Sequence, residues 1–231
     1  IIMVIHVSAE GQWMKTYDVV LFDLDGTLTD PQVGITRSIQ YALAKFNIAE
    51  PDLDKLIAFI GPPLVESFKV YYGFDDRQAW QAREYYREYF AVQGIYENAV
   101  YPGIPALLSA LARQGTRLMV ATSKPTLYAE EIVKHFGLAP FFELVAGSHM
   151  DGTRTDKQEV IEYVITHLSG VAKGRIVMVG DRKHDIIGAR KAGVDCIAVA
   201  YGYGEPAELK QEKPAYIAYT VAELAVLLGA G

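Results

Sequence analysis

The sequence predicts an α/β protein: a doubly wound, mainly parallel sheet carrying an inserted all-helical domain. Three observations point there. Short apolar runs rich in β-branched residues recur through the second half of the chain and alternate with helical patterns, the signature of βαβ units. Between Pro31 and Val100 that rhythm stops, and about 70 residues carry helical patterning with no convincing strand, far more than an ordinary crossover needs. The first apolar run ends on two carboxylates, Asp23 and Asp25. Open α/β sheets bind their ligands at such strand ends.

Taken in order, residues 1–13 read as an N-terminal extension, apolar but short, with weak support for a signal peptide. The core is expected over 14–30 and 101–231, and the helical insertion over 31–100. Val19-Val20-Leu21-Phe22 is a strand buried on both faces, because four consecutive apolar residues leave no polar side. Inside the insertion, Ile35 to Phe46 is amphipathic, and Gln78 to Phe90 is a helix rich in tyrosine and charge. Pro102-Gly103 opens a helix whose apolar positions are Ile104, Leu107, Leu108 and Leu111. The strand Arg117–Ala121 follows, then a helix marked by Ile132, Val133 and Phe136 and ended by Gly137. Leu144-Val145-Ala146 is the third strand, and Val160, Ile161, Val164, Ile165 and Leu168 trace the next helix. Arg175–Val179, a helix through Ile186, Ile187 and Ala189, and Cys196–Val199 complete the pattern.

The 231 residues are 51% hydrophobic and 22% charged, ordinary for a soluble globular chain. The formal net charge is −6 and no long basic block appears, so a nucleic-acid polymer has little electrostatic support as a partner. A small anionic substrate remains compatible, since the local field in a cleft outweighs net charge. Cys196 is the one cysteine, set in an apolar run, which reads as core packing and a reducing, cytoplasmic setting. No apolar stretch reaches the roughly 18 residues that would span a bilayer.

Chemistry concentrates at the strand ends. Asp23 and Asp25 repel one another unless a proton or a cation offsets them, and a hard, oxygen-seeking ion such as Mg²⁺ is suited to that task. The second strand runs into Thr122-Ser123-Lys124-Pro125. A hydroxyl and backbone N–H groups there can hold phosphate oxygens, or Thr122 or Ser123 caps the following helix. The fourth strand ends Val179-Gly180-Asp181-Arg182-Lys183-His184-Asp185. Gly180 is read as permitting a tight turn, Asp181 as sharing a metal with Asp23, and Asp185 as reaching metal-bound water, a lysine, or only the helix end. Lys157 enters the first turn of a helix, where the dipole disfavours a cation. It is a candidate because neighbouring strand ends supply acids and a hydroxyl; Lys124 is the rival lysine.

These clusters, in this order, resemble the haloacid dehalogenase superfamily, and within it the phosphoglycolate-phosphatase-like branch. Asp23-Leu24-Asp25-Gly26-Thr27 is similar to its DxDGT motif, Thr122 to the second-motif hydroxyl, Lys157 to the third-motif lysine, and Gly180-Asp181 with Asp185 to the acidic fourth motif. The resemblance implies a Rossmann-like core with a helical cap and a Mg²⁺-dependent phosphatase acting on a small-molecule phosphate monoester. It implies Asp23 as the nucleophile, forming an aspartyl-phosphate, and Asp25 as the acid and base. Mg²⁺ would be held by the Asp23 carboxylate, the Asp25 backbone carbonyl and Asp181. Thr122 and Lys157 would hold non-bridging oxygens, assisted by backbone N–H groups near Leu24 and Ser123, and Asp185 would orient Lys157 or metal-bound water.

Two positions depart from the family pattern: Lys157-Gln158-Glu159 lacks the prolines common in relatives, and Arg182 replaces a small hydroxyl residue. Arg182 either alters the local charge or points to solvent. Gly61-Pro62-Pro63-Leu64 is similar to the cap turn aimed at the active site, or is a plain helix-breaking connection. Tyr85, Tyr86 and Tyr89 are expected to pack the cap. Small carboxylated phosphates, nucleoside monophosphates and phosphotyrosine all fit as substrates, on a monomer or a homodimer. The competing readings are a phosphomutase of the β-phosphoglucomutase type, a non-catalytic binding module and a receiver-type domain phosphorylated on Asp23.

Overall fold

The structure is a computed structural model that describes residues 15–231; the extension expected over 1–13 lies outside them. Six parallel strands form one sheet in the order β5-β4-β1-β6-β7-β8. They are β1 (Val19–Phe22), β4 (Arg117–Pro125), β5 (Leu144–Ser148), β6 (Ile176–Gly180), β7 (Asp195–Val199) and β8 (Tyr216–Ala218). β1 lies between β4 and β6, with Leu21 paired to Met119 on one side and Met178 on the other.

Strand alternation divides the core. Val19 and Leu21 face α6 (Lys157–Thr166) and α7 (Lys183–Ala192), while Val20 and Phe22 face the layer holding α4 (Ile104–Arg113), α5 (Thr126–His135) and the C-terminal helix Val221–Leu227. All four β1 residues are buried, so the strand needs apolar side chains on both faces. Cys196 is buried among them and free, as its apolar surroundings predict.

The insertion contains α1 (Gln32–Ala44), a 3₁₀ segment Leu53–Phe59, α2 (Leu64–Tyr72), α3 (Asp76–Tyr89) and a π turn Phe90–Gly94. α3 begins where Asp75 accepts from the Gln78 amide and Gln78 returns the bond to Asp75, a reciprocal cap. The insertion is not free of strand. Ala99–Val100 (β3) pairs antiparallel with Thr29–Asp30 (β2), joining its entry and exit. Two residues carry no readable period, so the ribbon left no pattern in the sequence. The edge strand β8 and the extension of β4 past Ala121 to Pro125 were equally unmarked. Among the described residues no helix is long and apolar enough to cross a membrane.

Candidate active site

The chain leaves β1 for β4 and β5 on one side, then returns to build β6, β7 and β8 on the other. That reversal makes the carboxyl ends of β1, β4 and β6 a topological switch point, where adjacent loops part and leave a crevice. Asp23, Thr122 and Asp181 occupy those ends, and each is buried, as are Lys157 and Asp185.

Asp23 Oδ1 accepts from the Leu24 amide at 2.8 Å and lies 3.0 Å from Lys157 Nζ. Lys157 Nζ also lies 2.8 Å from Asp185 Oδ1 and donates to the Ala121 carbonyl at 3.1 Å. Lys157 is the first residue of α6, after Asp156, which caps the helix through the Gln158 amide at 2.7 Å. Burial pulls the lysine pKa down, yet Asp185 and Asp23 more than offset it, so the ammonium is held charged well above its ordinary range. This lysine is not solvated; it cross-links α6, β4 and two acids.

Asp185 serves two purposes. Its Oδ2 accepts from the Arg182 amide at 3.0 Å, steadying the start of α7, while Oδ1 faces Lys157. Burial and Asp23 push its carboxyl up to about 6 against the pull of Lys157. Asp181 Oδ2 accepts from the Tyr203 amide at 2.7 Å, but its Oδ1 is buried with no hydrogen-bond partner among the described residues. Burial first, then Asp185 and Asp23, drive its pKa well upward. Ligand oxygens of Asp23, Asp181 and Asp185 lie within 4.8 Å of one another. Three converging acids, an orphaned carboxylate oxygen and carboxyls that resist ionising unaided are the chemistry that fits a hard divalent cation. The Asp25 side chain is not in that trio.

Asp25 turns the other way, where Lys124 Nζ meets its Oδ2 at 2.5 Å and also sits over the Phe90 ring, 4.6 Å from its centre. Burial raises the Asp25 pKa more than Lys124 lowers it. The two rival lysines therefore divide the acids, Lys157 with Asp23 and Lys124 with Asp25. Thr122 lies inside β4, and α5 starts at Thr126 behind Pro125 with no side-chain cap. Neither Thr122 nor Ser123 caps a helix, and both line the cavity instead. Gly180 makes no turn. It lies within β6, where a Cβ would stand 2.2 Å from Asp185 Cγ, so glycine is required by close approach.

The helical insertion closes over these groups, leaving a cavity of about 640 Å³. Asp23 and Lys157 line it from the core, and Pro62, Leu64, Trp80 and Phe90 line it from the insertion. Tyr86 packs as expected, buried and stacked on Phe90, and also lines the cavity. Tyr85 meets Phe46, and Tyr89 pairs with Glu97, in keeping with that expectation.

Residues 20–199 match the Haloacid dehalogenase-like hydrolase family. The chain belongs to that family. It is 50% identical over 212 residues to a 5'-nucleotidase of Pseudomonas aeruginosa, covering 92% of this chain and 96% of that one. It is 28% identical over 211 residues to a phosphoglycolate phosphatase of Pseudomonas savastanoi pv. phaseolicola, covering 88% and 76%. The structure of Mycobacterium tuberculosis Protein Tyrosine Kinase A superposes with a TM-score of 0.81 at 36% identity, covering 93% of this chain and 99% of that one. This haloacid dehalogenase-like hydrolase is a phosphoric monoester hydrolase, a phosphatase of small phosphate esters.

The hydrolase brings Asp23, Leu24, Asp25, Thr122, Ser123, Lys157, Asp181 and Asp185 to one end of the sheet, as their strand-end positions predicted. Sequence reasoning missed the loop after β7. There Tyr203 donates its amide to Asp181, and a Cβ on Gly202 would lie 2.6 Å from Asp181 Oδ2 and 2.3 Å from the Gly26 carbonyl. Gly202-Tyr203-Gly204 directly follows an apolar run, the same signal that exposed the other strand ends. Of the two expectations for Arg182, the altered local charge holds, since it pulls the Asp181 pKa down against the larger effect of burial; its side chain reaches not to solvent but into the insertion.

Proposed function

We infer that this hydrolase is a Mg²⁺-dependent phosphatase of nucleoside 5'-monophosphates that works through an aspartyl-phosphate on Asp23. The observation that carries the reading is the position of Asp23: one oxygen is held by the Leu24 amide and Lys157, beside Asp181, in the cavity between core and insertion. With Oδ1 engaged, Oδ2 is the oxygen free to attack phosphorus. The bond from phosphorus to the ester oxygen breaks, and Asp25 gives that oxygen a proton. Burial favours the protonated Asp25 that this step needs. Asp25 then takes a proton from water as the water oxygen attacks phosphorus, releasing inorganic phosphate and restoring Asp23.

Thr122 and Lys157 flank the nucleophile and are assigned to the non-bridging oxygens, with the Ser123 amide assisting. Asp23 and Asp181, joined by the Asp25 backbone carbonyl, are assigned to Mg²⁺, with Asp185 shared between that ion and Lys157. When bound, the ion supplies charge neutralisation between the carboxylate and an anionic ester. The substrate assignment draws on the identity to the Pseudomonas aeruginosa 5'-nucleotidase. It draws also on a cavity much larger than a phosphoryl group, to which the insertion contributes the aromatic side chains of Trp80, Tyr86 and Phe90. The helical insertion is assigned the role of a cap.

The test is phosphate release from nucleoside monophosphates, phosphoglycolate, sugar phosphates and phosphotyrosine, each with Mg²⁺ and with EDTA. Metal-dependent release that is fastest from nucleoside monophosphates is expected. Equal rates in EDTA would sink the metal assignment, and preference for another ester would sink the substrate assignment.

A further inference from the structure

The geometry points to Arg182 as a latch between core and cap, a positioning residue that ties closure of the cavity to the loop carrying Asp181. Its Nη1 donates to the Ile60 carbonyl at 2.6 Å, across 122 residues of sequence. Ile60 ends the 3₁₀ segment Leu53–Phe59, so its carbonyl lacks a partner further along the segment and is available to a donor from outside. The Ile60 side chain is itself buried in the core shared with the insertion. A pull on that carbonyl is therefore a pull on the whole cap, not on a loose loop.

The next residue confirms the fit. Gly61 has φ 104°, a left-handed conformation that glycine tolerates. A Cβ there would stand 2.9 Å from Arg182 Nη1 and 3.3 Å from its Cγ, so the guanidinium and its stem lie flat on the glycine. Gly61 leads into Pro62, Pro63 and Leu64, which line the cavity. On the core side, the Arg182 amide is held by Asp185 at 3.0 Å, and Nε lies 3.6 Å from Glu208 Oε1. The latch thus starts from the acid that faces Lys157 and ends on the cap turn.

Two features suit it to release. Arg182 Nε is buried with no hydrogen-bond partner among the described residues, a donor that regains water when the cap lifts. Entry and exit of the cap run through the two-residue ribbon of Thr29–Asp30 and Ala99–Val100, a short link that can serve as a hinge. Asp23 is only 9% exposed beneath the insertion, so lifting it would widen access to the nucleophile for a bulky ester.

The inference rests on the phosphatase reading only for what closure serves, and its test needs no substrate. Spin labels at Arg77→Cys on α3 and Lys191→Cys on α7, both exposed, report cap-to-core distance by double electron–electron resonance; buried Cys196 stays unlabelled. Arg182→Met keeps the stem over Gly61 and removes the donors. It is expected to shift the population from a short, narrow distance to a longer, broader one by roughly tenfold, the weight of one charge-assisted bond. Arg182→Lys, which retains a donor, is expected to restore most of the short population. In turnover, Arg182→Met is expected to lose about ten times more kcat/KM on a nucleoside monophosphate than on acetyl phosphate, whose small leaving group needs less cover. A Met variant whose distance distribution coincides with that of the Arg182 protein would overturn the latch, whatever its activity.

Discussion

Replacing Lys157 with Met should expose how much of this site is held by one buried charge. The ammonium stands 3.0 Å from Asp23 and 2.8 Å from Asp185. At an effective dielectric near 20, each contact is worth about 6 kcal/mol before the cost of burying the lysine is charged against it. Removing one partner of a buried pair and stranding the other costs ~3–5 kcal/mol. A loss of about that size is expected in urea unfolding at pH 8 with EDTA. The loss should shrink at pH 5, because the stranded Asp185 carboxyl then accepts a proton. The sign follows from Asp185, whose folded value of about 6 lies above the ordinary 3.8. A raised acid contributes stability that is complete below the unfolded pKa and disappears as pH climbs through the folded one. Without Lys157 that climb moves higher, so the variant suffers most at alkaline pH. Mg²⁺ should return part of the stability at pH 8 by replacing the missing positive charge. Phosphate release should fall about 10²–10³-fold in kcat/KM, the usual effect of losing one preorganised charge at a developing oxyanion. A variant within about 1 kcal/mol of the parent at pH 8, or one equally weakened at pH 5 and pH 8, would refute this account of Lys157.

Asp23→Asn should abolish phosphate release while thermal unfolding stays cooperative; normal turnover from a folded Asn variant would eliminate Asp23 as nucleophile. Asp25→Asn removes the proton shuttle and should lower kcat by about 10²–10⁴-fold, least for esters with acidic leaving groups; equal losses across a leaving-group series would contradict that role. Gly202→Ala places a Cβ within 2.6 Å of Asp181 Oδ2 and 2.3 Å of the Gly26 carbonyl. It should cost about 1–3 kcal/mol and weaken Mg²⁺ affinity, read by calorimetry; unchanged metal affinity would separate that loop from the acids. The upward shifts of Asp181 and Asp185 mean that cation binding displaces protons. The Tm gain from Mg²⁺ should therefore be small at pH 5 and grow through about pH 6 to pH 8; a gain independent of pH would place the ion elsewhere.

Much of this molecule was legible because its chemistry sits at strand ends, and strand ends are local features. Val19–Phe22, Arg117–Ala121 and Ile176–Val179 announce themselves by apolar continuity, and the polar residue that follows each is read directly. Asp23, Thr122 and Asp181 are such residues. The helical insertion was legible too, as a long absence of the strand pattern. What the pattern missed was short or flat: the ribbon of Thr29–Asp30 and Ala99–Val100 has no period to detect, and Gly180 looked like a turn residue though it is a strand residue pressed against Asp185.

The amino-acid order by itself determined which side chains arrive at the carboxyl edge of the sheet, and hence the family and the class of reaction. Only the tertiary structure decided how they pair. Lys124 meets Asp25 across 99 residues and Lys157 meets Asp23 beside Asp185. Tyr203 supports Asp181, and Arg182 reaches the Ile60 carbonyl in the helical insertion. Secondary structure follows from periodicities of a few residues, whereas these contacts depend on strand order and on which helix lies over which strand. A shift of a few ångströms in that packing exchanges one ion pair for another without altering a single local pattern.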